Sequence, residues 1–303
     1  MTKGPVLVLD TASLYYRSFY ALPDSMTAPD GRPHQALRGF LTMLEAFHST
    51  FAPSAVIACW DDDWRPQWRV DLLPSYKTHR VLETTSSGDY LEDEPDTLSP
   101  QIQALADLID ASSVTRLGVP GFEADDVAAS LAAQVPGSVI VISGDRDLVQ
   151  VVDDTRQVQL FLAINGGMPK WPLLDEAGVV ERYGVHPSSY VDFAIMRGDP
   201  SDGIPGVPGI GEKTAAALIH AHANLDSILD AAQGDPVKPL TPRIAALLRD
   251  HTENLARAKQ VATAVTTLPI DIPSVVQPQE SNVALRDAIA SEWGVGRFIP
   301  QWL

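Results

Sequence analysis

The first 185 residues alternate between short, mostly apolar blocks and longer stretches of helical periodicity. Val6–Leu9, Ala55–Trp60, Ser113–Leu117 and Ser138–Ile142 have the length and composition of buried strands. Gln159–Leu162 is a fifth such block, followed by a turn signal at Asn165-Gly166-Gly167. Helices are predicted over Ala36–Phe51, Pro100–Ala111, Ala124–Gln134 and Leu173–Tyr183. Strands alternating with helices predict an α/β fold, a mostly parallel central sheet with helices on both faces. From about Pro187 the strand-like blocks stop, and short helices separated by Gly/Pro turns take over. The predicted division is residues 1–185 as an α/β unit and 186–303 as a helical one.

Acidic residues sit where the apolar blocks end. Asp10 follows VLVL, Asp61 follows AVIACW, and Asp145 and Asp147 follow VIVISG. Glu123, Asp125 and Asp126 open the helix predicted at Ala124, and Asp199 and Asp202 lie beyond the boundary. In a parallel sheet the carboxyl ends of the strands converge on one crevice, so these residues should share one acidic pocket. Clustered carboxylates repel one another, and hard divalent cations are the usual remedy. All-oxygen ligation favours Mg²⁺ or Mn²⁺, and two such ions can activate a water and stabilise a leaving oxygen in phosphodiester hydrolysis. Asp62 and Asp63 are alternatives to Asp61.

The net charge of −17 at first opposes a nucleic-acid partner. Its distribution changes that picture. Glu83, Asp89, Glu92, Asp93, Glu94, Asp96, Asp107 and Asp110 form a second acidic block, with no Lys or Arg from Val81 to Thr115. Setting aside this block and the candidate ligands leaves acids and bases in balance. Residues 86–99 are expected to form a mobile, solvated acidic insert. The lone Cys59 lies in an apolar block and can form no internal disulfide. No apolar run reaches bilayer length, and the run before Asp10 is too short for a signal peptide. A cytoplasmic, nucleoid-associated protein without membrane contact is expected.

Gly206-Val207-Pro208-Gly209-Ile210-Gly211 reads as a hairpin between two helices, followed by Lys213-Thr214. Glycines permit close backbone approach, and a helix starting near Glu212 directs free N–H groups outward, a natural seat for phosphate. A nucleotide-binding phosphate loop is excluded because Glu212 stands where that motif needs Lys and no strand precedes it.

Together TASLYYRSFYALP, LLPSYKTHR, VPGFEADDVAASLA, SGDRDLVQ and GDPSDGIPGVPGIGEKTA resemble, in order and over nearly the whole chain, the bacterial 5′ nuclease family. That family comprises the 5′-3′ exonuclease domain of DNA polymerase I and the flap endonucleases; the chain is most similar to a stand-alone form of actinobacterial type. The resemblance implies a PIN-like core with a helical arch near residues 75–100 and a helix-hairpin-helix subdomain. It implies that Asp10, Asp61, Glu123, Asp125 and Asp126 surround one divalent metal. Asp145, Asp147, Asp199 and Asp202 would complete the second side, with Asp126 and Asp145 shared between the two. Lys77, Arg80 and Arg17 would contact the reacting phosphate, and Tyr76 would stack on the terminal base. Lys77 and Arg80, three residues apart, would share one helical face. Gly206, Gly209, Gly211 and Lys213 would hold duplex DNA, with K⁺ bound through the carbonyls of Val207 and Ile210. A monomer acting on DNA flaps, nicks or 5′ ends, beside DNA polymerase and ligase, is implied. WRPQWR departs from the family pattern, which leaves Arg65 and Arg69 in doubt as phosphate contacts. The competing readings are a non-catalytic DNA-binding paralogue and a haloacid-dehalogenase-like phosphatase. The latter wants a second Asp where Ala12 stands.

Overall fold

The computed structural model describes residues 4–85, 88 and 90–303. Asp89 of the acidic block, and residues 86 and 87 of the expected insert, lie outside the described residues. Strands β1 (Val6–Asp10) and β2 (Ala55–Cys59) flank helices α1 (Thr11–Ala21) and α2 (Gln35–Phe51). After α3 (Gln67–Leu72) come β3 (Val81–Thr84), β4 (Tyr90–Glu92), α4 (Ser99–Asp110) and β5 (Thr115–Leu117). Next are α5 (Ala124–Gln134), β6 (Val139–Ser143), β7 (Val158–Leu162), β8 (Leu173–Leu174) and α6 (Glu176–Tyr183). Helices follow from there: α7 (Tyr190–Arg197), α8 (Glu212–His222), α9 (Leu225–Gln233), α10 (Pro242–Asp250), α11 (Thr252–Ala262), α12 (Ile272–Val275) and α13 (Val283–Glu292).

The main sheet runs β5-β2-β1-β6-β7-β8, parallel throughout except for β8. From β1 the chain winds to β2 and β5 on one side, then returns to place β6 on the other. The switch between β1 and β6 opens a crevice at their carboxyl ends, where Asp10 and Asp145 emerge. Alternate strand residues face opposite ways. Val6, Val8, Ile57, Val139 and Val141 join α5 and the later helices in one core. Leu7, Leu9, Val56, Ile140 and Ile142 join α1, α2 and α4 in the other.

Three differences from the sequence expectations have physical causes. The helix expected from Leu173 starts at Glu176, because Asp175 caps it through the Gly178 N–H (2.7 Å) and Leu173–Leu174 pair with β7 instead. The expected helical arch is a two-stranded antiparallel hairpin, β3–β4, preceded by a single 3₁₀ turn at Thr78–Arg80. Lys77 is left-handed (φ 46°), which stops helix propagation, and Trp64 Nε1 donates to the Tyr90 carbonyl (3.1 Å), tying the hairpin down. Finally, α13 and the chain end leave the later helices: Ala290, Trp293, Val295 and Leu303 are buried with α2 and α4 in the first unit's core. By packing, residues 283–303 therefore depart from the expected 186–303 grouping.

Candidate active site

The first turn of α5 sends its acids in two directions. Glu123 and Asp126, three apart, share a face; Asp125 does not. On the shared face stands Arg69 of α3, itself 3% exposed. Its Nη1 donates to Glu123 Oε2 (2.6 Å) and Asp126 Oδ2 (2.8 Å), and its Nη2 to Asp126 Oδ1 (2.7 Å). Arg69 Nε reaches the Val261 carbonyl of α11 (3.0 Å). Asp126 also accepts from the N–H groups of Val265 (2.8 Å) and Glu123 (3.2 Å), which fills its lone-pair positions. Asp126 is thus a buried structural partner of Arg69. Glu123 is almost equally well partnered, accepting from Tyr76 Oη (2.7 Å) and Lys77 Nζ (2.7 Å) besides Arg69.

Asp125 faces a cavity of about 390 Å³ lined also by Asp10, Asp61, Glu123, Asp145, Lys77 and Arg80. Its walls are fixed by short bonds. Asp10 caps α1 through the Ser13 N–H (3.3 Å) and accepts from Ser143 Oγ (2.5 Å), while Ser143 Oγ accepts the Asp145 N–H (2.7 Å). One hydroxyl therefore couples the acids at the ends of β1 and β6. Asp61 accepts the Ala124 N–H at the start of α5 (2.8 Å). Its two neighbours do not line the cavity: Asp62 lies against Gly118, and Asp63 accepts from the Arg65 N–H (3.3 Å). Asp147 and Asp202 border a small adjoining cleft with Glu123 and Asp125, and Asp147 Oδ1 is buried without a hydrogen bond. Asp199 is buried, accepts from Ser201 N (3.0 Å) and pairs with Arg197 (3.3 Å) and Arg146 (3.4 Å), and its charge acts on Asp145 and Asp147.

Burial pushes Asp61 up to about 7, an effect the Lys77 ammonium only partly offsets. Asp202 is raised to about 6, again by burial first and then by Asp145 against the opposing Lys77. Asp125, Asp145 and Asp147 are likewise raised, first by burial; Asp10 adds to this at Asp125 and Asp145, and Asp145 adds to it at Asp125 and Asp147. Lys77 itself is held well above the usual lysine range; burial opposes this, but Glu123, Tyr76 and Asp202 outweigh it. One buried ammonium thus serves an excess of carboxylates. Among the described residues no three His, Cys, Asp or Glu side chains close into a ready cage for an ion. The donor set, all oxygen with one orphaned carboxylate atom, nevertheless suits a hard divalent cation.

The basic and aromatic candidates divide. Lys77 and Arg80 both line the cavity, though the left-handed Lys77 and the 3₁₀ turn replace the expected shared helical face. Arg17 donates to the carbonyls of Ile164 (3.0 Å) and Ala163, with its guanidinium over Trp171, and borders an open cavity of about 430 Å³ beside Asp145. Tyr76 is 2% exposed with its hydroxyl on Glu123, which corrects its expected role as a base-stacking ring. Arg65 clamps the Tyr76 carbonyl (2.7 Å) and lies over the Tyr90 ring, a structural post. Sequence reading missed the roles of Arg69 and Ser143; the Arg69 partners lie 54 and 57 residues away, beyond any local signal. Nor is the acidic block a remote insert, since Glu92 and Asp93 of the hairpin border the cavity.

The hairpin at 206–211 forms as expected between α7 and α8. Gly206 (φ 68°) is required internally: a Cβ there would lie 2.5 Å from the Gly198 nitrogen and 2.7 Å from the Arg197 carbonyl. Gly211 faces open space, and an added Cβ at Gly209 (φ 83°) would meet only Leu247, at 4.0 Å. Lys213 is exposed, and the side chains of Val207 and Ile210 are buried. The Val207 carbonyl accepts from the Ile210 N–H (3.0 Å). The loop before the hairpin is stitched to the Lys77 segment: Lys77 N donates to the Asp202 carbonyl (3.1 Å), and Ser75 Oγ to the Gly203 carbonyl (2.8 Å). A larger cavity, about 640 Å³, lies between α5, β7 and α11, but its polar groups bond with each other, as in the Lys259–Asp192 ion pair (3.0 Å) and the His186–Glu176 hydrogen bond (3.1 Å).

Comparison with known proteins adds three findings. Residues 5–184 match the 5'-3' exonuclease N-terminal resolvase-like domain, and residues 185–282 the 5'-3' exonuclease C-terminal SAM fold. The chain is 44% identical to a 5'-3' exonuclease of Streptomyces coelicolor, over 98% of both chains. It is 43% identical to one of Mycobacterium tuberculosis, over 98% of this chain and 97% of the relative. In fold it is similar to a variant of the bacteriophage T5 D15 flap endonuclease, solved as a pseudo-enzyme-product complex with DNA and metal ions. The TM-score is 0.67 at 18% identity, covering 97% of this chain and 99% of that one.

Proposed function

Because the chain belongs to the 5′-3′ exonuclease family, we propose that it is a structure-specific 5′ nuclease, cutting DNA phosphodiesters at 5′ ends and at flap junctions with the help of divalent cations. The observation that carries this reading is the cavity of Asp10, Asp61, Asp125 and Asp145, under-compensated by Lys77 and Arg80 and set at the switch point of the sheet. Asp10, Asp61, Asp125 and Asp145 would hold Mg²⁺ or Mn²⁺, with Asp147 and Asp202 on the second side. When bound, such ions supply an activated water and Lewis-acid stabilisation of the leaving oxygen. The protein's own groups do the rest. Lys77 and Arg80 orient the reacting phosphate and balance its charge, and the acids fixed by Ser143 and the Ala124 N–H keep their spacing as charge develops.

Residues 1–185 would carry the chemistry and the helices from 186 onward the grip on duplex. Gly209, Gly211 and Lys213 present an open backbone surface for phosphates, and the Val207 and Ile210 carbonyls would seat K⁺. In this reading the protein works as a monomer on DNA in the cytoplasm, at the nucleoid, on intermediates left for a polymerase and a ligase. The relatives' names support the nuclease part of this reading, and the DNA and metal ions of the T5 structure support its DNA and divalent-cation parts. The test incubates 5′-labelled duplex, flap DNA and a phosphomonoester with the protein, with Mn²⁺, with Mg²⁺ and with chelator. Metal-dependent cleavage of the two DNAs is expected. Turnover of the monoester alone, or of nothing, would overturn the assignment.

A further inference from the structure

We propose that the cavity between α1, the end of β2 and the β3–β4 hairpin is a binding site for a small aliphatic ammonium, a linear di- or polyamine. It measures about 300 Å³ and adjoins the acidic cavity, sharing Asp61 and Glu92 with it. Four rings line it: Tyr15, Trp60, Trp64 and Tyr90. Three carboxylates join them, Asp61, Glu92 and Glu94, and among the described residues no Lys, Arg or His lines the space. Ring faces and carboxylates both attract organic cations, and an ammonium with three donors can take both kinds of contact at once.

The roof is the hairpin that stands where an arch was expected, and it is tied in place. Trp64 Nε1 donates to the Tyr90 carbonyl (3.1 Å), and Tyr90 Oη to Gln67 Oε1 (3.1 Å). Arg65 lies 4.1 Å from the Tyr90 centroid and Arg116 5.2 Å from that of Trp60, so two of the rings already receive a cation over one face. Glu94 Oε2 is buried without a hydrogen bond. Burial and then Glu92 raise the Glu94 carboxyl. Burial first, and then Asp61, Glu92 and Glu94 among its neighbours, push the Tyr15 hydroxyl up, as uncompensated negative charge around the space would. Other occupants fit worse. A nucleotide would bring its phosphates among three carboxylates with no cation on the wall to meet them. A hard divalent ion would find rings where it needs oxygens, and among the described residues no three acids close into a cage. An alkyl chain can lie along Leu91 and Ile102 while its ammonium ends reach the acids.

The inference goes beyond the nuclease reading and is tested by binding alone, whether or not DNA is cut. Calorimetry follows the titration of 1,4-diaminobutane into the protein in chelator, at fixed ionic strength and without DNA. One saturable site is expected, and butane-1,4-diol, the same chain without charge, should not bind. The variants are Glu94→Gln, Trp64→Leu, Trp64→Phe and Asp125→Ala, with thermal melting as a check on folding. Glu94→Gln should weaken binding by about 10-fold or more, as for loss of one charge-assisted hydrogen bond. Trp64→Leu should weaken it by about 2- to 30-fold, the range for one cation–π contact. Trp64→Phe loses the same N–H anchor but keeps a ring, so it should bind more tightly than Trp64→Leu. Asp125→Ala, which alters only the acidic cavity, should bind nearly as tightly as wild type. Loss of binding in Asp125→Ala with wild-type affinity in Glu94→Gln would move the amine into the acidic cavity and overturn the site. Equal losses in Trp64→Phe and Trp64→Leu, binding of the diol as tight as that of the diamine, or no saturable binding by wild type would overturn it as well.

Discussion

Glu123 and Asp126 on one side of the first turn of α5, and Asp125 on another, are all withdrawn from bulk solvent, yet their surroundings differ in kind. The first pair meets the fork of Arg69, the Tyr76 hydroxyl, the Lys77 ammonium and two backbone N–H groups. Asp125 meets other carboxylates and is pushed up by burial, Asp10 and Asp145. A buried charge with all its partners is part of the scaffold, whereas a buried charge without them stores electrostatic free energy that an incoming cation can release. Burial alone does not separate the two kinds; the count of partners does.

The comparison breaks first at activity. Asp145→Ala or Asp125→Ala should reduce cleavage by about 10³-fold or more, since each removes several kcal/mol of charge stabilisation at the reacting phosphate. Thermal melting in chelator should be unchanged or raised, because repulsion in the cavity falls. Near wild-type cleavage at saturating Mn²⁺ by either variant would dissolve the distinction.

On the scaffold side the order reverses. Arg69→Met should destabilise the fold by about 3–5 kcal/mol, the cost of leaving Glu123 and Asp126 buried without their partner. Urea denaturation would measure it, and a change under about 1 kcal/mol would show the cluster to be dispensable.

The hairpin repeats the contrast on a smaller scale. Gly206→Ala should lower stability, because its Cβ would enter the Arg197–Gly198 backbone. At Gly209 an added Cβ would meet only Leu247 at 4.0 Å, but φ is 83°, so Gly209→Asp should cost about 1–2 kcal/mol of stability while weakening duplex binding by about 10-fold or more, since it sets a carboxylate where a phosphate must approach. Hydrolysis of a short single strand should survive in Gly209→Asp. Indifference of duplex affinity to that change would make the hairpin a structural turn only.

The smallest effect sharpens the electrostatics. Asp61, at about 7, and Asp202, at about 6, are raised above their unfolded value near 3.9. Between roughly pH 4 and 7 the unfolded chain gives up these protons while the folded chain keeps them, so the pair destabilises progressively as pH rises through that window. In chelator the melting temperature should therefore fall by a few degrees from pH 5 to pH 8, and Mn²⁺ should flatten the slope. A melting temperature that climbs over the same interval would contradict the raised values.

The sequence made much of this visible because strand ends are local signals. VLVLD, AVIACWD and VIVISGDRD announce both the strands and the acids they deliver, and a parallel sheet needs no further information to bring them together. What stayed hidden depends on distance or on one backbone angle. Nothing near Asp126 says that Arg69 awaits it 57 residues earlier. Tyr76 reads as a contact residue until its hydroxyl is found on Glu123. A left-handed Lys77 turns an expected arch into a hairpin, and the apolar spacing of α13 does not reveal which layer will receive it.

The stitches around Lys77 have one more consequence. The loop leading to the hairpin is bonded to the segment that carries Lys77, through Asp202 and Gly203; α11 is bonded to α3 through Val261, and the segment after α11 to α5 through Val265. In a protein that holds duplex at the hairpin and cuts at the cavity, those bonds set a fixed gauge length. The bond to be broken is then chosen by counting along the helix from where the duplex is held, and a change that loosens the stitches should blur the position of the cut before it slows it.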